Sequence, residues 1–309
     1  TQEHLKNPSL RNVMQYYREW YVPNNVAICM SGDLDPDETV RIIEKYFGDW
    51  QPSDSLPKRI FPQEKPLEAP VSVDVVGMET PMVALGWRLP AKADPQYGIM
   101  SVVQQILTNG KCGLFDENLN NAQQVMQAMT FLDGMTDQSA FWAIGCPKEG
   151  QSLEEVRDLM LSQVRLLAGG EWDESLLKGI LNNMKRRQLE DMQSNEMRAH
   201  RFVDAFVSGQ EWADAVGEMQ RLDTLTKKTV VDCARRMLTE GYGCVYKRQG
   251  TDTTAQKIDK PKISPIETNR DQVSAFVDSV LKMPVAEVEP VFVDFSREIQ
   301  TGKLTGGNE

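Results

Sequence analysis

The sequence predicts an α+β protein in which an antiparallel sheet carries helices on one face. Three observations lead there. Val71, Val73, Val75 and then Val83, Leu85, Trp87, Leu89 alternate with the period of half-buried strands. Several longer stretches repeat apolar residues at helical spacing behind capping residues. Strands and helices also come in blocks rather than in strict alternation, which argues against a doubly wound parallel sheet.

In chain order, Ser9 caps a helix whose apolar face is Leu10, Val13, Met14, Tyr17 and Tyr21, and Pro23-Asn24-Asn25 ends it. Val26-Ala27-Ile28-Cys29-Met30 reads as a buried strand. Asp35-Pro36-Asp37-Glu38 opens a helix with acids at its positive end, Val40, Ile43, Tyr46 and Phe47 on its face, and Gly48 at its stop. These pieces cannot bury both faces of a sheet by themselves, so residues 1–50 read as the end of a truncated domain. Thr1 opens no signal peptide, and the chain looks cut at both ends. Residues 51–70 hold Pro52, Pro57, Pro62, Pro66 and Pro70 among charges and read as an extended linker.

Residues 71–250 read as one coherent domain. After the two strands, a helix starts at Asp94-Pro95 with Met100, Val103, Ile106 and Leu107 on its face and ends near Gly110; a short one follows at 113–118. Strands come next at 124–131 and 140–146, the latter with Ala140, Trp142 and Ile144 on one side. Ser152-Leu153-Glu154-Glu155 is a capping box for a helix through Val156, Met160, Val164 and Leu167. Further helices start at Asp173, carry Phe202, Val203 and Phe206, and run from Thr226 to Gly241 before a strand at Cys244-Val245-Tyr246. Helix, break and strand at 9–30 echo the same order at 226–246, as two related domains would. Residues 251–309 carry Pro261, Pro265, Pro284 and Pro290, one short helix within 271–282, and a Gly-rich finish; they read as a connector to a further domain.

Charge and composition exclude several functions. With 34 Lys+Arg against 45 Asp+Glu the net charge is −11, which disfavours nucleic acid and anionic membrane as partners. No apolar run is longer than that of Val26–Met30, far short of the roughly 20 residues a membrane helix needs. His4 and His200 are the two histidines, too far apart in sequence for H-E-x-x-H or H-x-x-E-H. Glu3-His4 has no second imidazole one helical turn away. His200 lies between Arg198 and Arg201, which oppose a further positive charge. Lys185-Arg186-Arg187 faces Glu190 and Asp191 at helical spacing and reads as a solvated, ion-paired face. Gly110-Lys111-Cys112-Gly113 lacks the spacing of a phosphate loop, and no G-x-S-x-G occurs. Cys29, Cys112, Cys146, Cys233 and Cys244 form no C-x-x-C pair; four sit in apolar stretches as small buried hydrophobes, and the set leans toward a reducing, cytoplasmic setting over a periplasmic one. No catalytic residue, no metal ligand and no substrate-binding residue is singled out.

One stretch carries more. Trp20-Tyr21-Val22-Pro23-Asn24-Asn25, then Gly32-Asp33-Leu34-Asp35, then Lys45-Tyr46-Phe47-Gly48 resembles the end of the first domain of the M16 (pitrilysin/insulinase-like) zinc metallopeptidases. Leu85-Gly86-Trp87-Arg88 and Gly113-Leu114-Phe115 resemble, more loosely, the domain that follows it in that family. The resemblance implies the M16-like α+β fold for the central domain, repeated along a longer chain that encloses a peptide-binding chamber. It also implies that the zinc-binding H-x-x-E-H and its downstream Glu lie before Thr1, so no cofactor belongs to this chain. The chain then reads as the inactive second domain of a zinc endopeptidase, part of chamber and hinge, with the remaining M16 domains and peptide substrates as partners; residues 1–50 are expected to dock on the central domain or to pair with a second copy of the chain. The alternative is a scaffold protein of the same fold whose parent has no peptidase activity.

Overall fold

The computed structural model describes residues 9–57, 64–253, 269–285, 287, 289–298 and 302. The chain divides into two compact units, residues 1–258 and 259–309.

In the first unit α1 spans Leu10–Trp20 and α2 spans Pro36–Phe47, joined through a 3-10 turn at Pro23–Asn25. Ser9 and Asp35 accept from the backbone N–H of Asn12 and Glu38, as their cap positions require. Then come β1 (Val71–Gly77), β2 (Met82–Leu89), α3 (Pro95–Leu107), a π-turn at Asp116–Asn121, β3 (Gln127–Asp133) and β4 (Ser139–Cys146). The helices α4 (Leu153–Gly169), α5 (Glu174–Asp191), α6 (Asn195–Ser208), α7 (Trp212–Leu222) and α8 (Lys227–Met237) lead to β5 (Gly243–Gln249). The second unit holds α9 (Ala275–Leu281), capped by Ser274, and α10 (Phe295–Glu298).

The sheet has the order β1-β5-β2-β4-β3. The sequence predicts an antiparallel sheet, and every ladder is antiparallel except β1 with β5, which is parallel. The sheet is therefore mixed. A chain of some 165 residues separates those two strands in sequence, ample for the long crossover that a parallel pair needs.

Registration explains which face is buried. Val83 faces Tyr246 and Leu85 faces Cys244, while Leu85 faces Ala143 and Trp87 faces Phe141. All of these side chains are buried beneath α3, α4 and α8, with Met100, Ile106, Val156, Met160, Leu167, Val230 and Cys233. Gly145 permits the closest approach: a Cβ there would stand 2.5 Å from Val156 Cγ1, so α4 lies directly on β4. The buried Trp87 indole donates to Thr239 O at 2.8 Å. Burial pushes the Tyr246 phenol up to about 12, the neighbouring Cys244 thiol adds to this, and the bond from Arg157 (2.5 Å) opposes it.

Four expectations change. Residues 26–30 are not a strand: Val26, Ile28 and Met30 are 40%, 49% and 47% exposed, because no described residue supplies the neighbouring strands that an apolar run requires. On β4 the buried side is Ser139, Phe141, Ala143 and Gly145, while Ala140, Trp142 and Ile144 lie on the open face. Cys233 and Cys244 are buried, but Cys29 and Cys146 are only partly so and Cys112 is exposed. The helix α7 was not anticipated, although Trp212, Ala215, Val216, Met219 and Leu222 repeat at helical spacing. The Glu3-His4 pair, the middle of the linker, and Pro261 and Pro265 lie outside the described residues.

A phenol whose folded pKa stands above its ordinary 10 favours the neutral form in the fold. Its contribution, about 3 kcal/mol, is fully present below pH 10 and is lost as pH rises to about 12. Denaturation curves from pH 9 to 12 should therefore show a steeper loss for the native chain than for Tyr246→Phe. Parallel curves would contradict the buried, neutral Tyr246.

Candidate functional site

A sheet with helices on one face leaves one open face and two edges, and the two edges differ here. On β3, Asn120 reaches back so that its Nδ2 donates to Ala128 O (2.9 Å) and its Oδ1 accepts from Ala128 N (2.7 Å). Gln104 Nε2 donates to Thr130 O at 2.8 Å. Two side-chain amides thus take the place of a neighbouring strand, a way of blunting an edge.

Among the described residues none covers the β1 edge in this way. Val71 N donates to Tyr242 O and Gly250 N donates to Gly77 O, both at 2.9 Å. Alternation then assigns Val71, Val73, Val75 and Gly77 to β5 and turns the N–H and C=O groups of Ser72, Asp74 and Val76 outward. Among the described residues nothing bonds those outward groups. Seven residues give a free edge of about 23 Å.

The same strand is fixed from the other side. Arg248 on β5 bridges Asp74 (2.5 Å) and Glu154 on α4 (2.6 Å), which joins β1 to the sheet and the roof together. The Arg248 guanidinium holds the Glu154 carboxyl below its ordinary range. Lys247 does the same for Glu79, at 2.5 Å, in the turn that follows β1.

Beside the free edge lies the apolar open face, with Val71, Val73 and Val75 on β1, Val245 on β5, Ala84 and Gly86 on β2, and Trp142 and Ile144 on β4. Trp142 stacks on Phe131 of β3 with ring centroids 6.4 Å apart. It lies flat across β2 because position 86 is glycine: a Cβ there would meet the indole at 2.8 Å. Pro66 and Leu67 of the linker line a cavity of about 400 Å3 next to Trp142 and Val245.

A second concavity, about 720 Å3, lies between the end of α3, the 109–118 loop and α5, with Trp172, Leu176 and Ile180 at its floor and Lys111, Arg186 and Arg187 around it. The buried Asp116 carboxylate shapes its rim, accepting from the N–H of Asn109 (2.8 Å), Gly110 (2.9 Å) and Gly113 (3.1 Å). Asn109 Oδ1 accepts from Lys111 N and Cys112 N, each at 3.0 Å. The N–H groups of this loop are therefore consumed internally and make no anion cradle. Gly110 sits at φ +78°, in the left-handed region, beyond a helix that ends at Leu107.

The residues weighed from sequence are dispersed. His200 is on α6, 3.7 Å from Glu196. Lys185 pairs with Asp223 of the α7 end at 2.5 Å rather than with its own helix, and Arg186 pairs with Glu190. Arg187 turns toward the cavities on either side of it. Among the described residues no three His, Cys, Asp or Glu side chains converge as metal ligands. Sequence reasoning missed Asn120, Gln104 and Asp116, whose roles depend on what the chain brings opposite them; only the spacing of Asp116 behind Gly110 and Gly113 hinted at a loop anchor.

The chain thus folds as a mixed five-stranded sheet roofed by helices on one side, an α+β domain. The family described as peptidase M16 inactive domain matches residues 9–184, and the chain belongs to that family. The zinc protease PqqE of Helicobacter pylori is 21% identical over 210 residues, covering 66% of this chain and 47% of that protein, so the chain spans about half the length of this relative. A protease structure from Helicobacter pylori superposes with a TM-score of 0.76 at 18% identity, over 80% of this chain and 61% of that one. The peptidase M16 inactive domain from Pseudomonas fluorescens gives 0.68 at 16% identity, over 81% and 58%. The structural likenesses establish the shared α+β fold.

Asp116→Ala should release the loop. With three N–H groups left unpaired, chemical denaturation should show a loss of about 3 kcal/mol, and the amides of Asn109, Gly110 and Gly113 should exchange faster. Unchanged exchange would mean that the loop is held by other contacts.

Proposed function

We propose that this chain is the non-catalytic part of an M16-type zinc endopeptidase and lines a chamber for extended peptides. A substrate segment adds to β1 as a further strand, taking its main-chain bonds from Ser72, Asp74 and Val76. Alternate side chains then fall on the open face beside Val71, Val73 and Val75. Strand addition of this kind draws affinity from the backbone and is tolerant of sequence, which suits a protease that accepts unfolded chains. The observation that supports it is the contrast between an edge closed by Asn120 and Gln104 and an edge whose outward groups no described residue bonds.

In this reading residues 71–250 are the inactive domain, residues 1–50 are the end of a preceding M16-like domain, and residues 51–70 and 251–309 are hinge and connector. Zinc and the bond-breaking chemistry belong to the rest of the parent. The isolated chain accordingly binds no stoichiometric zinc and cleaves no unstructured peptide. Zinc retained after dialysis, or cleavage, would overturn this.

Proline at position 76 removes an outward N–H and leaves the ladder to β5 intact. Val76→Pro should melt close to the native chain, yet bind a fluorescent unstructured peptide about tenfold more weakly in anisotropy titrations, a cost of about 1.4 kcal/mol. Val75→Pro, which removes a ladder bond, should lose stability instead. Equal affinity for native and Val76→Pro chains would sink the edge-binding reading.

Residues 9–50 supply the partner surface in the same scheme. Leu10, Val13, Tyr17, Tyr21 and Phe47 are exposed, Val22 alone of this segment's large hydrophobics is buried, and Ser31 is tied to α6 by Arg198 at 3.1 Å. So much wet apolar surface favours association. Light scattering should give a particle heavier than one chain for residues 1–309 and a single-chain mass for 51–309. Equal single-chain masses would leave the segment without that role.

A further inference from the structure

The concavity between the end of α3, the 109–118 loop and α5 has a glycine where a helix gains nothing from one. Gly179 lies inside α5, where only proline is a poorer choice, and a Cβ built on it would meet nothing within 4 Å. Packing therefore does not require glycine at this position. What the missing side chain preserves is the cavity, which Gly179 lines. Another wall comes from the Asp116–Asn121 π-turn, a wide backbone form that recurs at functional sites. At about 720 Å3 the space falls in the range of small-ligand sites, about 300–1,000 Å3. We propose that this cavity binds the carboxyl end of a peptide, with its apolar last side chain on the floor and its free α-carboxylate met by Lys111 and Arg187.

The lining selects this occupant. Trp172 and Ile180 are buried at the floor. The loop N–H groups are already spent on Asp116 and Asn109, so side chains must meet an anion here. Arg186 is held by Glu190 and Asn183, but nothing among the described residues pairs with the Lys111 ammonium or the Arg187 guanidinium. Two cations without partners beside an apolar floor complement an anion that carries an apolar group. Two acids share the lining. Asp173 is engaged as the cap of α5, accepting from Ser175 N at 2.7 Å, and Glu117 opposes a ligand of higher negative charge, so one carboxylate fits better than a phosphate. The side-chain amides favour a peptide over a fatty acid. Asn118 Nδ2 donates to the buried Gln163 at 2.7 Å, and no described residue bonds its Oδ1. Asn183 Oδ1 accepts from Arg186 at 2.9 Å, and no described residue bonds its Nδ2. An acceptor and a donor of this kind match the N–H and C=O of a peptide bond, whereas an alkyl chain leaves both unused. The cavity lies in the helix layer, so it does not depend on strand addition at β1.

The test titrates N-acetyl-Ala-Ala-Leu with a free carboxyl into the full chain by calorimetry, beside the same peptide amidated at its C-terminus, lauric acid and inorganic phosphate. The free acid should bind once per chain and move the amide resonances of Lys111 and Gly179. The amidated peptide, lauric acid and phosphate should each bind about tenfold more weakly or less. Lys111→Gln and Arg187→Gln should each weaken the free acid about tenfold and leave the amidated peptide unchanged, a charge-specific effect that a merely structural role would not produce. Gly179→Leu should fill the cavity and weaken the free acid about tenfold, yet melt at or above the native temperature, because Leu is the better helix former. Val76→Pro should keep native affinity for this short peptide, which separates the cavity from the β1 edge. No binding of the free acid, equal binding of the free and amidated peptides, native affinity in Arg187→Gln or Gly179→Leu, lost affinity in Val76→Pro, or tighter binding of lauric acid or phosphate would each overturn the assignment.

Discussion

A buried or paired backbone is the rule in sheets, and an unpaired row of N–H and C=O groups is costly wherever water is excluded. This chain meets that constraint unevenly. It commits two side chains, Asn120 and Gln104, to satisfying β3, and commits none of its described residues to the outward groups of β1. The parallel pairing of β1 with β5 follows the same division. Both ends of the domain's chain meet at one margin of the sheet, and Arg248 secures that margin to α4 through Asp74 and Glu154. These ion pairs tie the β1 margin to the helix layer.

Rigidity on the roof side allows openness on the other. Large side chains of β2, β4 and β5 pack against α3, α4 and α8, down to the bare backbone of Gly145. The opposite face gathers apolar groups that no described helix of the first unit covers, from the β1 valines to Trp142 and Phe131. In the proposed reading an extended peptide lies on this surface and pairs with the β1 main chain, and membership in the peptidase M16 inactive-domain family supports that reading.

What was legible in the sequence was whatever depended on neighbours along the chain. Caps at Ser9, Asp35, Asp94, Ser152, Asp173 and Thr226 all accept the N–H bonds their positions call for. The alternation of β2 placed its buried residues correctly. What failed depended on partners distant in the chain. Val26–Met30 has strand composition but no strand beside it, β4 shows either side as plausible from pattern alone, and the direction of β1 is set by a strand some 165 residues away. The candidate site belongs to this second kind. Asn120 is an ordinary polar residue until Ala128 is folded against it, and the proposed role of Ser72, Asp74 and Val76 rests on outward groups that no described residue bonds.

Amide hydrogen exchange read residue by residue tests the central claim most directly, first on the free chain and then with a saturating unstructured peptide. The free chain should exchange quickly at Ser72, Asp74 and Val76 and slowly at Ala128, and peptide should slow the three β1 amides while leaving Ala128 unchanged. Protection of those β1 amides in the free chain, or a peptide effect that falls on β3 instead, would contradict the account.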